Sequence, residues 1–257
     1  MRGMGLIYCI DIGNTRTHCA VVESRTCAVS ASADYPSAEF SAIFSGERLF
    51  ERSGAEAVSW CSVVPAYSAA LEPLLAGVKS MQLTVENSPI PILIDAPLQL
   101  GQDRIADAVG ASFYFEPPYV VVDMGTAVTI DLVDSSGAYA GGAIAPGMNA
   151  FVSYLSERAA QLPLINPAEA DCSLTIGKNT RQAMYVGCAK GFCKLVDGIL
   201  ADIERDYFGG QSAAPKTVFT GGSVSYLPKS WLGGRKVDLH LPHIGLAMSY
   251  EFNRKNL

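Results

Sequence analysis

One short phrase occurs twice in this chain, and the repeat limits what the chain can fold into. The apolar run Ile7-Tyr8-Cys9-Ile10 leads into Asp11-Ile12-Gly13-Asn14-Thr15, and Tyr119-Val120-Val121-Val122 leads into Asp123-Met124-Gly125-Thr126. A second strand-like run leaves each glycine turn: Cys19-Ala20-Val21-Val22 in one case, Val128-Thr129-Ile130-Asp131-Leu132-Val133 in the other. Two β-turn-β units 112 residues apart predict two related lobes whose turns face one cleft. Glycine lets the backbone approach a phosphate and turns amide N–H groups toward its oxygens. Threonine adds a hydroxyl donor, and aspartate holds a metal ion directly or through water. That is equipment for gripping a nucleotide's phosphates from two sides.

The 257 residues suffice for a substantial core and for two lobes of roughly 100–150 residues each. A net charge of −6 argues against a nucleic-acid or anionic-membrane surface. No apolar stretch approaches the ~20 residues needed to span a bilayer. Met1-Arg2-Gly3-Met4 runs straight into the first strand, which leaves no room for a cleaved signal peptide. Seven cysteines, an odd number without CxxC spacing, read as small buried hydrophobes in a reducing cytosol. A thiol nucleophile or zinc site is the competing reading, and the spacing does not favour it. The three histidines, His18, His240 and His243, show no ligand pattern.

Along the chain, Val58-Ser59-Trp60-Cys61-Ser62-Val63-Val64 is a further apolar strand stopped by Pro65, and Ser68 to Val78 is helical. Pro89 to Ile94 reads as a short extended segment with proline at its edge. Gly101-Gln102-Asp103-Arg104 opens a helix in which Ile105, Ala108, Val109 and Phe113 share a face. Glu116-Pro117-Pro118 marks the boundary, dividing the chain into lobes 1–116 and 117–257. In the second lobe, a glycine-rich strand and turn over Ala138 to Pro146 precedes a helical period from Met148 to Leu162. The longest helical pattern runs from Thr180 to about Tyr207. A strand over Lys216 to Thr220 then ends in Gly221-Gly222, and a helix over Gly245 to Asn253 closes the chain. Strands alternating with helices after an antiparallel start give an α/β fold with mixed sheets flanked by helices.

Six motifs occur in a fixed order. They are Asp-x-Gly-Asn-Thr at Asp11, Gly-x-Asp-Arg at Gly101, Asp-x-Gly-Thr-Ala-x-Thr at Asp123, Gly141-Gly142-x-Ile144-x-Pro146-Gly147, Ile176-Gly177-Lys178-Asn179-Thr180, and Thr220-Gly221-Gly222. Together they resemble type III pantothenate kinase, of the acetate/sugar kinase, Hsp70 and actin (ASKHA) superfamily, over nearly the whole chain. The resemblance implies an actin-like architecture of two ribonuclease H-like lobes. It implies a cytoplasmic homodimer that phosphorylates pantothenate to 4'-phosphopantothenate with ATP, the first step of coenzyme A biosynthesis. Mg²⁺ and a monovalent cation, K⁺ or NH₄⁺, are the implied cofactors.

Phosphoryl transfer has a loose transition state, so the protein mainly aligns groups and neutralises spreading charge. The resemblance assigns the nucleotide to the segment Asp11, Ile12, Gly13, Asn14, Thr15, Arg16, Thr17 and His18, with Asp11 on Mg²⁺ through water. His18, at the segment's end, reads as a solvated strand residue rather than a catalytic one. Asp103 is the candidate general base, able to orient a primary hydroxyl and take its proton. Its position also suits a helix cap, and the two roles are compatible. Arg104 supplies a fixed charge for a phosphoryl oxygen or the substrate carboxylate, and Gly101 and Gln102 complete that substrate segment. Asp123 resembles the monovalent-cation ligand, Thr126 an ATP-contacting hydroxyl, and Gly221 and Gly222 the adenosine-side turn. Thr180 matches a pantothenate-binding threonine at a helix start; a plain cap is its competing reading.

Three positions depart from the family pattern: Ile94 stands where a tyrosine is usual, Asp107 where an asparagine is, and Ala159 where a threonine is. None belongs to the phosphate machinery, so the departures bear on substrate choice. Two other readings follow: a superfamily kinase for another small hydroxy compound, and a non-catalytic ligand-binding transcription accessory factor. A pure binder has no need of a base beside a phosphate clamp.

Overall fold

The computed structural model describes residues 5–39, 53–171, 173–209 and 216–254. Met1 to Met4 and Cys172, on which the sequence reading also drew, lie outside the described residues. The first half contains β1 (Leu6–Ile12), β2 (Arg16–Glu23), β3 (Val29–Pro36), β4 (Ala57–Ser62), α1 (Pro65–Leu71), β5 (Ser80–Gln82) and α2 (Gln102–Ala111). The second contains β6 (Tyr119–Met124), β7 (Ala127–Val133), β8 (Tyr139–Pro146), α3 (Met148–Arg158), α4 (Thr180–Met184), α5 (Gly191–Tyr207), β9 (Thr217–Thr220), α6 (Lys229–Leu232), β10 (Lys236–Val237) and α7 (Leu241–Asn253).

The repeated phrase is a repeated topology. One sheet has the order β3-β2-β1-β4-β5 and the other β8-β7-β6-β9-β10. β1 pairs antiparallel with β2 and parallel with β4; β6 pairs antiparallel with β7 and parallel with β9. The central strands read as apolar runs because helices and neighbouring strands bury both of their faces. On one face of the first sheet Tyr8, Ile10 and Ile12 pack with Val58, Trp60 and Leu71. Alternation sends Ile7, Cys9 and Asp11 to the other face.

The chain divides into two compact units. One is Met1–Pro117 with Ser135–Ala140 and His240–Leu257, the other Pro118–Asp134 with Gly141–Leu239. A division at residue 116 therefore misplaces α7, which packs against α2, β1, β2 and β4. The α2–α7 contact is close because glycines meet there: a Cβ on Gly110 would strike the Leu241 carbonyl, and one on Gly245 the Ala106 carbonyl. Ser59 Oγ donates to the Leu246 carbonyl at 2.8 Å, fastening α7 to β4.

Several element boundaries differ from the sequence expectation. The first helix begins at Pro65, whose fixed φ suits an N-terminal position, and passes into a 3₁₀ turn at Glu72–Leu75 beside Pro73. Pro89 to Ile94 forms no named strand; Ile92 makes a single bridge to Tyr139. The Thr180–Tyr207 pattern is not one helix, because a π-helical stretch, Tyr185–Lys190, joins α4 to α5. α3 stops at Arg158 rather than Leu162. Phe113 lies beyond the end of α2 and is 42% exposed, outside the buried face that Ile105, Ala108 and Val109 share.

Candidate active site

The first glycine turn is braced from a distance. Gly13 N donates to the Arg16 carbonyl at 3.0 Å, closing the turn. Ser37 Oγ donates to the Gly13 carbonyl at 2.8 Å, and Ser37 N to the Thr15 carbonyl at 3.0 Å. With the Ser37 proton committed, buried Thr17 donates its own to Ser37 Oγ across 3.1 Å. The turn therefore presents exposed Asn14, Thr15 and Arg16. The expectation that Gly13 itself offers an amide to phosphate is corrected, since that N–H is used within the turn. Ile12 faces the core and is fully buried, so only its backbone borders the site.

Asp11 sits at the end of β1, in register with Cys61 on β4 and His18 on β2. Cys61 Sγ donates to Asp11 Oδ1 at 3.3 Å. That thiol stays protonated: burial, then the carboxylates of Asp11, Asp103 and Asp107, push it far above its ordinary range. Burial and the Asp103 charge push Asp11 up to about 6, while His18 pulls the other way. Desolvation and a second negative charge both penalise an ionised carboxylate, and a bound cation relieves both. His18 Nδ1 lies 2.7 Å from Asp34 Oδ1 on the neighbouring strand.

Asp103 lies in the first turn of α2, where the helix dipole favours an anion. It is not the cap. Gly101 holds that position without a side-chain bond, and Asp103 Oδ1 accepts from Arg104 N at 2.8 Å. Gln102 Oε1 accepts from Ser62 N at 3.0 Å and Gln82 Nε2 at 3.1 Å, so this residue ties the start of α2 to β4 and β5. The Arg104 guanidinium lies 5.8 Å from the centroid of the buried Tyr139 ring.

In the second unit Asp123 ends β6, in register with Thr220 on β9 and Thr129 on β7. Gly125 N closes the turn on the Ala127 carbonyl at 3.0 Å, and Ser223 Oγ donates to the Gly125 carbonyl at 3.4 Å. Thr126 is exposed at the tip. Gly221 has a φ of +92°, and a Cβ there would strike Asp123 Oδ1 and the Met124 backbone. Only glycine permits that approach. Thr180 is the first residue of α4, but the cap is Asn179, whose side chain accepts from Gln182 N at 2.9 Å. Thr180 lines an apolar groove of about 700 Å³ with Phe151, Tyr154, Leu155, Met184 and Gly187.

A family model for type III pantothenate kinase matches residues 7–202. The chain belongs to the type III pantothenate kinase family. A protein of Akkermansia muciniphila named type III pantothenate kinase is 37% identical over 242 residues, spanning 92% of this chain and 93% of that protein. Among solved structures, a conserved Baf family transcriptional activator from Campylobacter jejuni superposes with a TM-score of 0.66 at 21% identity, covering 97% of this chain and all of the other. MreB 5 of Spiroplasma citri bound to AMPPNP gives 0.52 at 11% identity, covering 99% and 98%. These likenesses bear on the fold alone, which is the actin-like α/β architecture of two related mixed-sheet units.

The family motifs pointed to the turns but not to what holds them. Ser37, Cys61, Thr220 and Ser223 meet the two aspartates or their turns from other strands and loops; no motif marks Ser37, Cys61 or Ser223, and the motif containing Thr220 gave it no role. Register alone would have found Cys61 and Thr220, as the β4 and β9 residues paired with Asp11 and Asp123. Among the described residues no group of three or more His, Cys, Asp or Glu is arranged to hold a metal ion.

Proposed function

We propose that the chain transfers the γ-phosphoryl group of ATP to the primary hydroxyl of pantothenate, giving 4'-phosphopantothenate for coenzyme A synthesis, in the cytosol and as a homodimer. The observation that carries this reading is the pairing of Asp103 with Asp11 in one unit: a carboxylate at a helix start, close enough to raise the proton affinity of a second one. Asp103 orients the attacking hydroxyl and accepts its proton as the bond to phosphorus forms. Arg104, next in the chain, offers a permanent positive charge to the acceptor's carboxylate. Gln102 keeps the start of α2 fixed against β4, and with it the distance between the two aspartates.

Asn14, Thr15 and Thr126 supply side-chain donors for phosphate oxygens, and Gly221 and Gly222 leave room for the nucleoside. Asp11 suits Mg²⁺, a hard cation that keeps several waters and needs only one or two carboxylates. Held there, Mg²⁺ would supply positive charge against the phosphates as charge spreads in the transfer. Asp123 is read as the monovalent-cation ligand and Thr180 as a pantothenate contact.

The test is ADP formation by purified protein with ATP, Mg²⁺ and K⁺, with and without pantothenate. Turnover that requires pantothenate supports the reading. ATP binding without pantothenate-dependent turnover, or faster turnover with another small hydroxy acid, overturns it and directs attention to Ile94.

A further inference from the structure

The parallel register of β6 and β9 places Thr220 directly beside Asp123 on one face of the sheet. Thr220 is 1% exposed, and its Oγ1 is buried without any hydrogen-bond partner. A hydroxyl cut off from water costs stability unless something engages it. The next residue, Gly221, brings its backbone against Asp123 Oδ1, in space that any side chain would fill. A carboxylate, an unspent hydroxyl oxygen and a cradle of bare backbone therefore converge at the end of β6.

The corresponding place in the first unit is different. There the residue in register with the aspartate is Cys61, whose thiol already donates to Asp11. The second carboxylate on the Asp123 face, Asp131, lies two residues past Thr129 and takes that residue's hydroxyl at 2.9 Å. At the turn itself the donors therefore amount to one negative charge and one neutral hard oxygen. Oxygen donors suit alkali and alkaline-earth cations, and a single charge balances a monovalent one.

We propose that Thr220 Oγ1 is a direct oxygen ligand of the monovalent cation held by Asp123. An ammonium ion would donate a hydrogen bond to the same oxygen. The proposal rests on the reading of Asp123 as the cation site, and Thr220 is what sets the cation's place at the β9 edge of the turn.

The test is the rise in melting temperature of the full chain as K⁺ replaces choline at constant ionic strength. It is made on the unsubstituted protein and on Asp123→Asn, Thr220→Val and Thr220→Ser. The unsubstituted protein is expected to show a saturating rise, which Asp123→Asn loses. Thr220→Val is expected to need at least about tenfold more K⁺, while melting in choline at or above the unsubstituted protein, since it deletes an unpaired buried hydroxyl. Thr220→Ser, which keeps the oxygen, retains the K⁺ response.

A Thr220→Val protein with an unchanged K⁺ midpoint overturns the role of Thr220 and leaves the Asp123 reading intact. An unchanged midpoint in Asp123→Asn, or no K⁺ effect on the unsubstituted protein, overturns the Asp123 reading itself. A Thr220-dependent rise with Mg²⁺ in place of K⁺ overturns the assignment to a monovalent ion. A Thr220→Val protein that melts lower in choline, where Thr220→Ser melts like the unsubstituted protein, assigns the hydroxyl a structural role and also overturns the proposal.

Discussion

The two glycine turns share a strand order and differ in what surrounds the aspartate. Asp11 lies among carboxylates: Asp103 raises its proton affinity, and Asp107 joins both in acting on Cys61. Asp123 lies beside a hydroxyl and a glycine backbone. The loops differ as well, since Gly13 closes on the third residue ahead and Gly125 on the second. A duplicated scaffold thus carries two unlike charge environments, which the proposed reading assigns to a divalent and a monovalent cation. Fold repetition sets where an aspartate sits, and the residue on the next strand, Cys61 or Thr220, sets what it meets there.

The largest expected effect comes from Asp103, the carboxylate that acts on Asp11 in the first unit. Asp103→Asn is expected to lower kcat by about 10²–10⁴ with little change in ATP binding, measured by steady-state kinetics and calorimetry. A loss below tenfold would remove the asymmetry at its source.

Substituting the glycines compares the turns directly. Gly221→Ala forces an L-residue to a φ of +92° and into Asp123, so a loss above about 2 kcal/mol in denaturant unfolding is expected. Gly13→Ala meets only the Arg16 carbonyl, at 3.0 Å, and is expected to cost about 1 kcal/mol or less. Similar costs would mean that the second turn is no tighter than the first.

The serine braces give a finer contrast. Ser37→Ala strips a partner from the Gly13 carbonyl and from Thr17, at an expected cost of about 1–3 kcal/mol. Ser223→Ala removes one longer bond, of 3.4 Å, and is expected to cost under about 1 kcal/mol.

A pH-dependent effect, which leaves stability at neutral pH untouched, concerns His243, buried in the first unit with neither ring nitrogen hydrogen-bonded and pushed down to about 4, chiefly by burial. The unfolded chain takes up this proton below about pH 6.5, whereas the fold does not until about pH 4. The stability from burying a neutral ring is therefore complete above pH 6.5 and is lost as pH falls from there toward 4. His243→Leu is expected to flatten that limb by up to about 1.4 kcal/mol per pH unit, read from melting temperature against pH. An unchanged limb would exclude His243 as its source.

Much of this organisation was legible in the sequence, and the failures have local causes. The apolar runs at Ile7 and Tyr119 gave the central strands and the two related units, because a strand buried on both faces leaves an uninterrupted apolar signature. Cuts at Glu116-Pro117-Pro118 do not reveal that α7 returns to the first sheet, since Gly110 and Gly245 meet only in three dimensions. The π-helical stretch at Tyr185–Lys190 was invisible because its apolar spacing still fits a helix. At the site, motif residues were readable and their supports were not. Thr220 stood in a recognised motif without a role, and its register beside Asp123 supplies one.

The division of labour between the turns is tested most directly by titrating Mg²⁺ and K⁺ separately against the pantothenate-dependent activity of Asp11→Asn and Asp123→Asn. Asp11→Asn is expected to raise the Mg²⁺ requirement while the K⁺ midpoint stays put, and Asp123→Asn to do the reverse. If both substitutions shift the same midpoint, or each shifts both equally, the two aspartates serve one cation and the contrast drawn here is wrong.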